Sequence, residues 1–316
     1  MIWTAIAAGG ATAAAAADRY PARPVRLVVP FPPGGGTDLV ARLVAQRLSE
    51  SLGQSIIVDN RPGAGTMLAT ELVMRAPADG YTLMICSASH ALNPSLYGKV
   101  NYDPLRDFAA ITLAVAFPFL LVVHPAVQAQ TVKDYIALAK AQPGKIAYAS
   151  SGIGSTNHLA GELFKVTAGV DITHIPYKGG GPALNDLIGG QIPSMFGTVL
   201  ETWPHARGGR IRALGVTSAK RGGFAPDLPT IAEAALPGYD VTGWYGFLVP
   251  AATPKPIVAK LNREITRILG EAAVKGRLVS LGSDPWPTSP DEAQKFIGNE
   301  AARWSKIIRG AGIRAE

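Results

Sequence analysis

The sequence predicts an α/β fold built as two lobes, each lobe a mixed, mostly parallel sheet flanked by helices. Three observations favour this fold. Strand-like runs of β-branched and aromatic residues alternate with helical patterns along most of the 316 residues, as they do in βαβ units. A chain of this length is expected to form about two domains of roughly 150 residues each. Two long, extended and apolar segments, residues 114–123 and 241–250, are suited to cross between the lobes.

Short runs of β-branched and aromatic residues predict the strands. These runs are residues 25–29, 55–58, 82–86, 111–116, 119–123, 145–149, 171–175, 192–196, 211–217 and 241–249. Between many of them, apolar residues recur at helical spacing and predict helices at residues 37–52, 65–76, 131–141, 255–269 and 289–310. We expect Thr37 to be the N-cap of the first helix. The third helix should stop before the Gln-Pro-Gly sequence at 142–144.

The two apolar segments suggest how the chain is divided. If both cross between the lobes, the first lobe is discontinuous and consists of residues 19–117 together with residues 246–316. The second lobe is then residues 118–245. We therefore expect the C-terminal helices to pack on the N-terminal half of the chain, and we expect the lobes to hinge.

Two stretches of the chain share one plan, in which a strand-like run leads through a glycine-rich turn to a hydroxyl residue that opens a helix. The first is Phe-Pro-Pro-Gly-Gly-Gly-Thr-Asp at 31–38, and the second is Ser-Ser-Gly-Ile-Gly-Ser-Thr-Asn-His at 150–158. A helix N-terminus presents unpaired N–H groups and the positive end of a dipole, which suits an anion. One such turn in each half of the chain indicates a protein that grips a carboxylate or phosphate from both sides. Taken singly, each turn is also compatible with an ordinary strand–helix connection.

The composition argues against several classes of protein. Hydrophobic residues make up 47% of the chain and charged residues 17%, so a large core is possible. The net charge is +7, but the basic residues do not form a stripe, and nucleic-acid binding is not expected. The single cysteine, Cys86, lies in an apolar run and is predicted to be buried. The sequence contains no metal-ligand spacing, dinucleotide fingerprint or P-loop, so we expect neither a metal nor a cofactor.

Residues 1–18 have the character of an export signal. They are apolar, rich in alanine and glycine, and end in an Ala-x-Ala pattern before Asp18. This pattern resembles the hydrophobic region and cleavage site of a secretory signal peptide, although no basic segment precedes it. Either the true start lies upstream, or the segment is a low-complexity leader. It is too short, and too rich in alanine and glycine, to be a membrane-spanning helix.

Several motifs in order resemble one family, the Bug-type receptors, which are the extracytoplasmic solute-binding proteins of tripartite tricarboxylate transporters. The matching segments are residues 20–38, 58–65, 76–83, 150–158, 174–179, 214–221 and 236–239. The resemblance covers essentially the whole chain after residue 18. Several motifs that occur in the same order are far more specific than any one of them.

The resemblance implies a two-lobed periplasmic-binding-protein fold of the Venus flytrap kind, type II, that closes on a ligand between its lobes. It implies carboxylate ligands, such as di- and tricarboxylates, acidic amino acids, or nicotinate-like and aromatic acids. Members of the family hold the carboxylate mostly through backbone N–H groups, hydroxyls and bridging water. The implied partners are the membrane permease subunits of the transporter, and the implied location is the periplasm. We expect a monomer that is not an enzyme.

The resemblance and the two glycine-rich turns together predict a ligand-binding set. In the first turn it is Phe31, Gly35, Gly36, Thr37 and Asp38, and in the second it is Gly152, Gly154, Ser155, Thr156 and His158. The set further includes Ser87, Ser89, His90, Tyr177, Gly197 and Thr198. We expect the N–H groups of Gly35, Gly36 and residues 155–157, together with the hydroxyls of Thr37, Ser155 and Thr156, to do most of the binding.

Two predicted positions carry alternatives. Asp38 would repel a bound carboxylate, so we expect it to orient its loop, and His158 either supports its loop or meets the ligand. Gly197 stands where the family often has the aspartate of a Met-Phe-Asp motif. Its absence removes a charge and adds room, which favours a bulkier or doubly acidic ligand, unless this position never meets the ligand.

Two other functions remain as alternatives at this point. One is a receptor that senses its ligand for a signalling partner rather than for a permease. The other is an α/β enzyme with an atypical site that uses Ser155 and His158. A turnover assay on carboxylate esters separates the enzyme from the binding protein, and neighbouring genes separate the sensor from the transport receptor.

We predict that the protein is exported, because the leader is apolar and rich in alanine and ends in the Ala-x-Ala pattern of a signal cleavage site. Expressed with its native upstream region and fractionated, the mature protein should be found outside the cytoplasm. Edman sequencing should place its N-terminus close to Asp18. Uncleaved protein recovered only from the cytosol would contradict the prediction.

Overall fold

The computed structural model describes residues 20–310 and 313, so the predicted signal segment at 1–18 lies outside the described residues. Within them, ten strands form one continuous sheet that two groups of helices cover. The strands are β1 Val25–Val29, β2 Ile56–Asn60, β3 Thr82–Ser87, β4 Phe108–Val123, β5 Ala147–Ser150, β6 Thr173–Pro176, β7 Ser194–Thr198, β8 Arg212–Val216, β9 Thr242–Pro250 and β10 Asp284–Pro285. The α-helices are α1 Gly36–Leu52, α2 Met67–Met74, α3 Ala88–Leu96, α4 Val132–Ala141, α5 Thr156–Ala168, α6 Gly180–Ile188, α7 Val199–Arg207, α8 Ile231–Ala234, α9 Lys255–Gly270, α10 Ala272–Ser280 and α11 Pro290–Gly310.

The long strand β4 divides the sheet into two halves. Residues 108–118 of β4 pair with β9, and the order in this half is β2-β1-β3-β9-β4. Residues 119–123 pair with β7 and β8, and the second half continues as β7-β5-β6. In each half the core strands are parallel: β1 with β2 and β3, and β5 with β6 and β7. This arrangement confirms the predicted α/β fold with mixed sheets, but five of the nine strand pairings in the described residues are antiparallel, because β4 and β9 run against their neighbours.

The pairing of β9 bears on where the chain returns to the first half. All of β9 pairs within the first half, where Thr242 lies opposite Pro118, whereas the N–H of Val241 still bonds to Thr217 of the second half. Strand pairing therefore favours a crossing just before Thr242, a few residues earlier than the expected boundary at 245/246. The division into lobes of residues 19–117 plus 246–316 and residues 118–245 stays a prediction. Helices α9 and α11 both pack on β4, with α9 also on α1 and α11 on α3.

Two local expectations were wrong, for separate reasons. The runs at 111–116 and 119–123 are one strand, because Pro118 lies at the switch between partner strands, where a missing N–H is tolerated. Thr37 is not the N-cap of α1 but lies in its first turn, and Gly35 is the N-cap. At Gly35 the φ angle is −82°, so this position does not require the left-handed conformation.

Other elements begin and end where local chemistry places them. Thr131 caps α4 through a capping box with Asp134, and Gly53 ends α1 in the left-handed conformation, with φ 66°. Cys86 is buried in β3, as predicted. In the described part of the chain, no helix is both long and apolar enough to span a membrane.

Helix α5 packs closely on β5 through a glycine. Gly161 faces the ring of Tyr148, and a methyl group at this position would overlap that ring. The phenol of Tyr148 is itself held by a 2.6 Å hydrogen bond to Glu162, so the ring cannot easily turn away. The contact sets the distance of α5 from the sheet and hence the position of its N-terminus.

We predict that Gly161→Ala destabilises the fold by about 1–3 kcal/mol, because the added methyl group must displace a buried, hydrogen-bonded ring. Gly276→Ala in α10 is the matched control, since a Cβ there meets no atom within 4 Å. It should stabilise the helix by roughly 0.5–1 kcal/mol. Urea unfolding followed by circular dichroism measures both variants. Equal stabilities would show that the Gly161 contact does not constrain α5.

Candidate functional site

Among the described residues, five helices begin at one cleft between the two halves of the sheet. They are α1 and α3 of the first half and α5, α6 and α7 of the second, and each follows directly on a strand or a short turn. The cavity volume of the cleft is about 30 Å³, and about 400 Å³ when all the space between its walls and at its solvent-exposed mouth is included. The first N–H groups of a helix have no acceptor within that helix and carry its positive dipole end. The cleft is therefore electropositive without using a cationic side chain.

Unpartnered hydroxyls mark the cleft as a polar binding site. Three of the hydroxyls that line it, those of Ser87, Ser89 and Thr198, are buried and have no hydrogen-bond partner in the described part of the protein. Buried hydroxyls are nearly always hydrogen-bonded, so a cluster of unpaired ones calls for an explanation. A ligand with acceptor atoms would satisfy them.

The hydroxyl of Ser155 serves its own helix. It donates a 2.5 Å hydrogen bond to the carbonyl of Gly152 and accepts one of 3.3 Å from the N–H of His158. Ser155 is therefore the N-cap of α5, and its proton is already engaged. The proton that was expected to donate to the ligand is engaged within the loop here, so a ligand contact of the Ser155 hydroxyl stays a prediction, and the N–H groups of Thr156 and Asn157 lie in the first turn without an acceptor in their own helix.

Asn157 is a lining residue that the sequence reasoning did not assign a side-chain role. Its amide donates to the carbonyl of Phe196 at 2.8 Å and to the hydroxyl of Ser151 at 3.0 Å. These bonds tie the glycine-rich turn to β7 and hold the N-terminus of α5 in place. In the sequence, only the position of Asn157 within the Ser-Thr-Asn-His run indicated that its side chain could have a role.

One wall of the cleft is aromatic. The lining includes Phe31, Phe117, Phe119 and Tyr245, and also Trp244, whose indole packs on Phe296 and bonds to Glu300 of α11. The ring centroids of Phe117 and Tyr245 lie 4.5 Å apart, and those of Phe117 and Phe119 lie 5.6 Å apart. Only Phe31 was predicted, although the other four lie in the two apolar segments expected to cross between the lobes. Such a wall suits the apolar body of a ligand.

A buried carboxyl group, that of Glu201, also lines the cleft. It lies in the first turn of α7 and accepts hydrogen bonds from the N–H groups of Thr198, at 3.1 Å, and Gly36, at 3.3 Å. Burial raises the pKa of Glu201 to about 7, although these hydrogen bonds favour its ionised form. The bond to Gly36 joins the second half of the sheet to the first. The Thr-x-x-Glu spacing of Thr198 and Glu201 is a capping-box sequence, a signal that the sequence analysis did not use.

Within the described chain, no lysine or arginine lines the cleft. Arg61 of the chain segment after β2 forms an ion pair with Asp59 at 3.0 Å. Lys178 is not among the lining residues either. No group of three or more His, Cys, Asp or Glu side chains in the described residues is placed to hold a metal ion.

Nine of the predicted ligand-binding residues line the cleft, and their contact with a ligand stays a prediction. They are Phe31, Gly35, Gly36, Thr37, Ser87, Ser89, Ser155, Thr156 and Thr198. Seven others lie outside the lining. They are Asp38, His90, Gly152, Gly154, His158, Tyr177 and Gly197.

Asp38 stabilises the first glycine-rich turn, residues 31–38, without lining the cleft itself. Its carboxylate accepts bonds from the N–H of Gly34 at 3.0 Å, from Arg42 at 2.9 Å and from Asn60 at 2.9 Å. Burial opposes its ionisation, but these bonds outweigh that effect, and the pKa of Asp38 is lowered. Asp38 therefore contacts its own loop, as expected for a residue whose negative charge would repel a bound carboxylate.

His158, Gly152 and Gly154 shape the second glycine-rich turn, at the start of α5. The ring of His158 accepts a long, 3.4 Å hydrogen bond from the N–H of Gly154 and packs on His174 with a centroid distance of 4.2 Å. Burial lowers the pKa of His158 to about 4, so the ring is neutral at pH 7. Gly152 and Gly154 have φ angles of 119° and 80°, which only glycine adopts readily. These residues shape the loop rather than line the cleft.

The remaining three lie further from the cleft. His90 is buried, contacts the carbonyl of Pro104 at 3.2 Å and stacks on Tyr102. The phenol of Tyr177 bonds to Asp186 at 2.6 Å. A Cβ at Gly197 would meet Thr202 and Met195, so the missing side chain adds no room to the cleft.

The geometry does not support the alternative of an enzyme with Ser155 as nucleophile. In the described residues, the Ser155 hydroxyl bonds to backbone groups, and the His158 ring bonds to Gly154 rather than to that hydroxyl. A nucleophile needs a base within hydrogen-bond reach, and this pair does not provide one.

Comparison with known proteins identifies relatives along nearly the whole chain. The family model described as tripartite tricarboxylate transporter family receptor matches residues 40–313. Protein BugT of Bordetella pertussis is 38% identical over 311 residues, which cover 98% of this chain and 95% of BugT.

Solved structures agree with the fold. The periplasmic binding protein BugD has 35% identity and a TM-score of 0.91, with 94% of this chain and all of BugD covered. An R. palustris protein solved with adipate has 41% identity and a TM-score of 0.91, with 93% of this chain and 99% of that chain covered. These likenesses confirm both the expected resemblance and the two-lobed fold.

We predict opposite effects on stability for two serines of the cleft. Ser155→Ala should lower the free energy of unfolding by about 1 kcal/mol, because it removes a helix N-cap. Ser89→Ala should leave the stability of the ligand-free protein unchanged or raise it, because it removes a buried, unpaired hydroxyl. Thermal and urea unfolding of both variants without ligand measures the difference. A large loss of stability in Ser89→Ala would mean that its hydroxyl is paired in solution.

Proposed function

The chain belongs to the family of tripartite tricarboxylate transporter receptors, and we propose from this premise that it captures a small carboxylate with an apolar body. The ligand lies in the cleft between the two halves of the sheet. The protein binds and releases its ligand unchanged and performs no catalysis. In this role the receptor delivers the acid to the permease subunits of a transporter.

The observation that carries the proposal is the chemistry of the cleft. Helix N-termini and the unpaired hydroxyls of Ser87, Ser89 and Thr198 offer donors to a carboxylate. The aromatic rings of Phe117, Phe119 and Tyr245 line the same cleft and suit hydrocarbon. Because the lining lacks lysine and arginine within the described residues, the carboxylate is held by neutral donors, as the family resemblance implies.

The relatives support this ligand class. The R. palustris protein, 41% identical, was solved with adipate, which has two carboxylates joined by a hydrocarbon chain. Adipate combines the anionic and apolar parts that the cleft accommodates. BugD is a periplasmic binding protein, and a periplasmic location for this chain accords with its predicted signal segment. We propose that the receptor works there as a monomer.

A thermal-shift screen tests the proposal directly. The panel contains adipate, malate, benzoate and nicotinate at several concentrations, with the corresponding methyl esters as controls. A ligand at 100 times its Kd stabilises the native state by about 2.7 kcal/mol, which is easily measured. The acids should stabilise the protein and the esters should not. If no acid shifts the transition at pH 6 or pH 8, the proposal is wrong.

We predict that Ser89→Ala and Thr198→Ala each weaken binding of the best acid about ten- to a hundredfold. A hydrogen bond to a charged group contributes about 1.5–3 kcal/mol, and about 1.4 kcal/mol corresponds to a tenfold change. Lys178→Ala is the control, because Lys178 does not line the cleft. Isothermal titration calorimetry at one pH measures all three. Binding that survives Ser89→Ala and Thr198→Ala but is lost in Lys178→Ala would point to an ion-pair site instead.

A further inference from the structure

The carboxyl group of Glu201 lies where three helices begin. It accepts hydrogen bonds from the N–H groups of Gly36, the first residue of α1, and Thr198, the N-cap of α7. At the start of α6, a Cβ on Gly180 would overlap the carboxyl group. A Cβ on Gly35 would lie 3.5 Å from its Oε2 atom. Glu201 is thus an internal anion that occupies donors suited to a ligand's carboxylate.

The position joins both halves of the protein. Glu201 belongs to α7 in the second half, and Gly36 belongs to α1 in the first. A hydrogen bond between them holds the cleft closed from within. A ligand carboxylate that approaches the start of α1 therefore competes with Glu201 for the same N–H group, and two ionised carboxylates in one buried place repel each other strongly.

Among the described residues, no lysine or arginine lines the cleft beside Glu201, and one turn further along α7 burial lowers the pKa of His205. Of the elements packed around Glu201, α1 brings Asp38, which its own loop holds, and α6 brings Asp186, which bonds to a tyrosine. Arg212 of β8 donates instead to the carbonyls of residues 127 and 129, while β4 and β7 carry no titratable side chain. Tyr245 of β9 is neutral, because burial raises the pKa of its phenol far above the usual value.

We propose that Glu201 determines the specificity of the cleft by admitting a ligand carboxylate to the start of α1 only together with a proton. Protonated Glu201 releases the N–H of Gly36 and turns from a competing acceptor into a donor toward the ligand. The proton comes from the solvent and resides on the Glu201 carboxyl while the ligand is bound. The inference deepens the proposed function and rests on it.

The proton requirement sets a pH dependence. Burial raises the pKa of Glu201 to about 7, so the protonated, binding-competent fraction is about one-tenth at pH 8 and one-hundredth at pH 9. Apparent affinity falls with that fraction. The apparent Kd should therefore rise about tenfold between pH 6 and pH 8 and about a hundredfold between pH 6 and pH 9.

Three histidines near the cleft do not produce the same pH dependence of binding. Burial lowers the pKa of His158 to about 4 and that of His174 to about 3, and burial likewise lowers the pKa of His90 to about 4. All three rings are neutral above pH 6. Ionisation of the ligand does not produce this pH dependence either, because carboxylic acids are ionised throughout this range.

Calorimetry on the wild-type protein tests the proposal. The probe is the acid from the adipate, malate, benzoate and nicotinate panel that gives the largest thermal shift. Titrations at pH 8 in triethanolamine and in Tris, two cationic buffers that differ in ionisation enthalpy and do not compete for an anion site, give the number of protons taken up. We expect close to one proton per ligand, together with the rise in Kd with pH.

Glu201→Gln supplies the second arm, since glutamine mimics the protonated acid at every pH. Its Kd should be nearly constant from pH 6 to pH 9, with no proton uptake, and at pH 9 it should bind at least tenfold more tightly than wild type. Glu264→Gln is the matched control on the outer helix α9, where Glu264 bonds to Ser51 at 2.6 Å, and it should keep the wild-type pH dependence.

The outcomes separate the two proposals. Binding by wild type with a constant Kd and no proton uptake would overturn the role of Glu201 and leave the receptor function standing. Binding by no acid of the panel at any pH would overturn the receptor function and this inference with it. If Glu201→Gln does not fold, proton uptake by the wild-type protein still decides the question.

Discussion

Each donor of the cleft depends on one geometric constraint, namely that parallel strands end at the same edge of their sheet. Strands β1 and β3 end at one side of the cleft and lead into α1 and α3, while β5, β6 and β7 end at the other and lead into α5, α6 and α7. A helix that follows a strand begins at that edge, so the helix N-termini face one another. Two sheet halves placed edge to edge thereby bring five helix N-termini to one cleft.

Such a site behaves differently from one built on lysine or arginine. Backbone N–H groups are held by the helices and lose no side-chain freedom on binding, and they attract a carboxylate without a buried cation that needs a partner when the site is empty. The protein's own carboxyl, Glu201, takes up the donors that face it. Its burial opposes ionisation, the surrounding N–H groups favour it, and the balance leaves its pKa near 7.

The crossing strands connect this polar region to the hydrocarbon wall. Strand β4 changes partners at Pro118, so Phe117 and Phe119 stand on either side of the change and both reach the cleft. Strand β9 runs antiparallel beside it and contributes Tyr245, whose ring packs on Phe117. The segments that join the two halves of the sheet are thus also the surface against which an apolar ligand body would pack.

The sequence by itself determined the alternation of strands and helices, the two glycine-rich turns and the family, because these depend on residues that are adjacent or one helical turn apart. Helices α3 and α7 contain Pro94 and Pro204, which obscured their pattern, and these helices carry Ser89 and Glu201 into the cleft. Only the tertiary structure decided those contacts. Gly36 and Glu201 are 165 residues apart, and no local pattern records which N–H group meets a distant carboxyl or which buried hydroxyl is left without a partner.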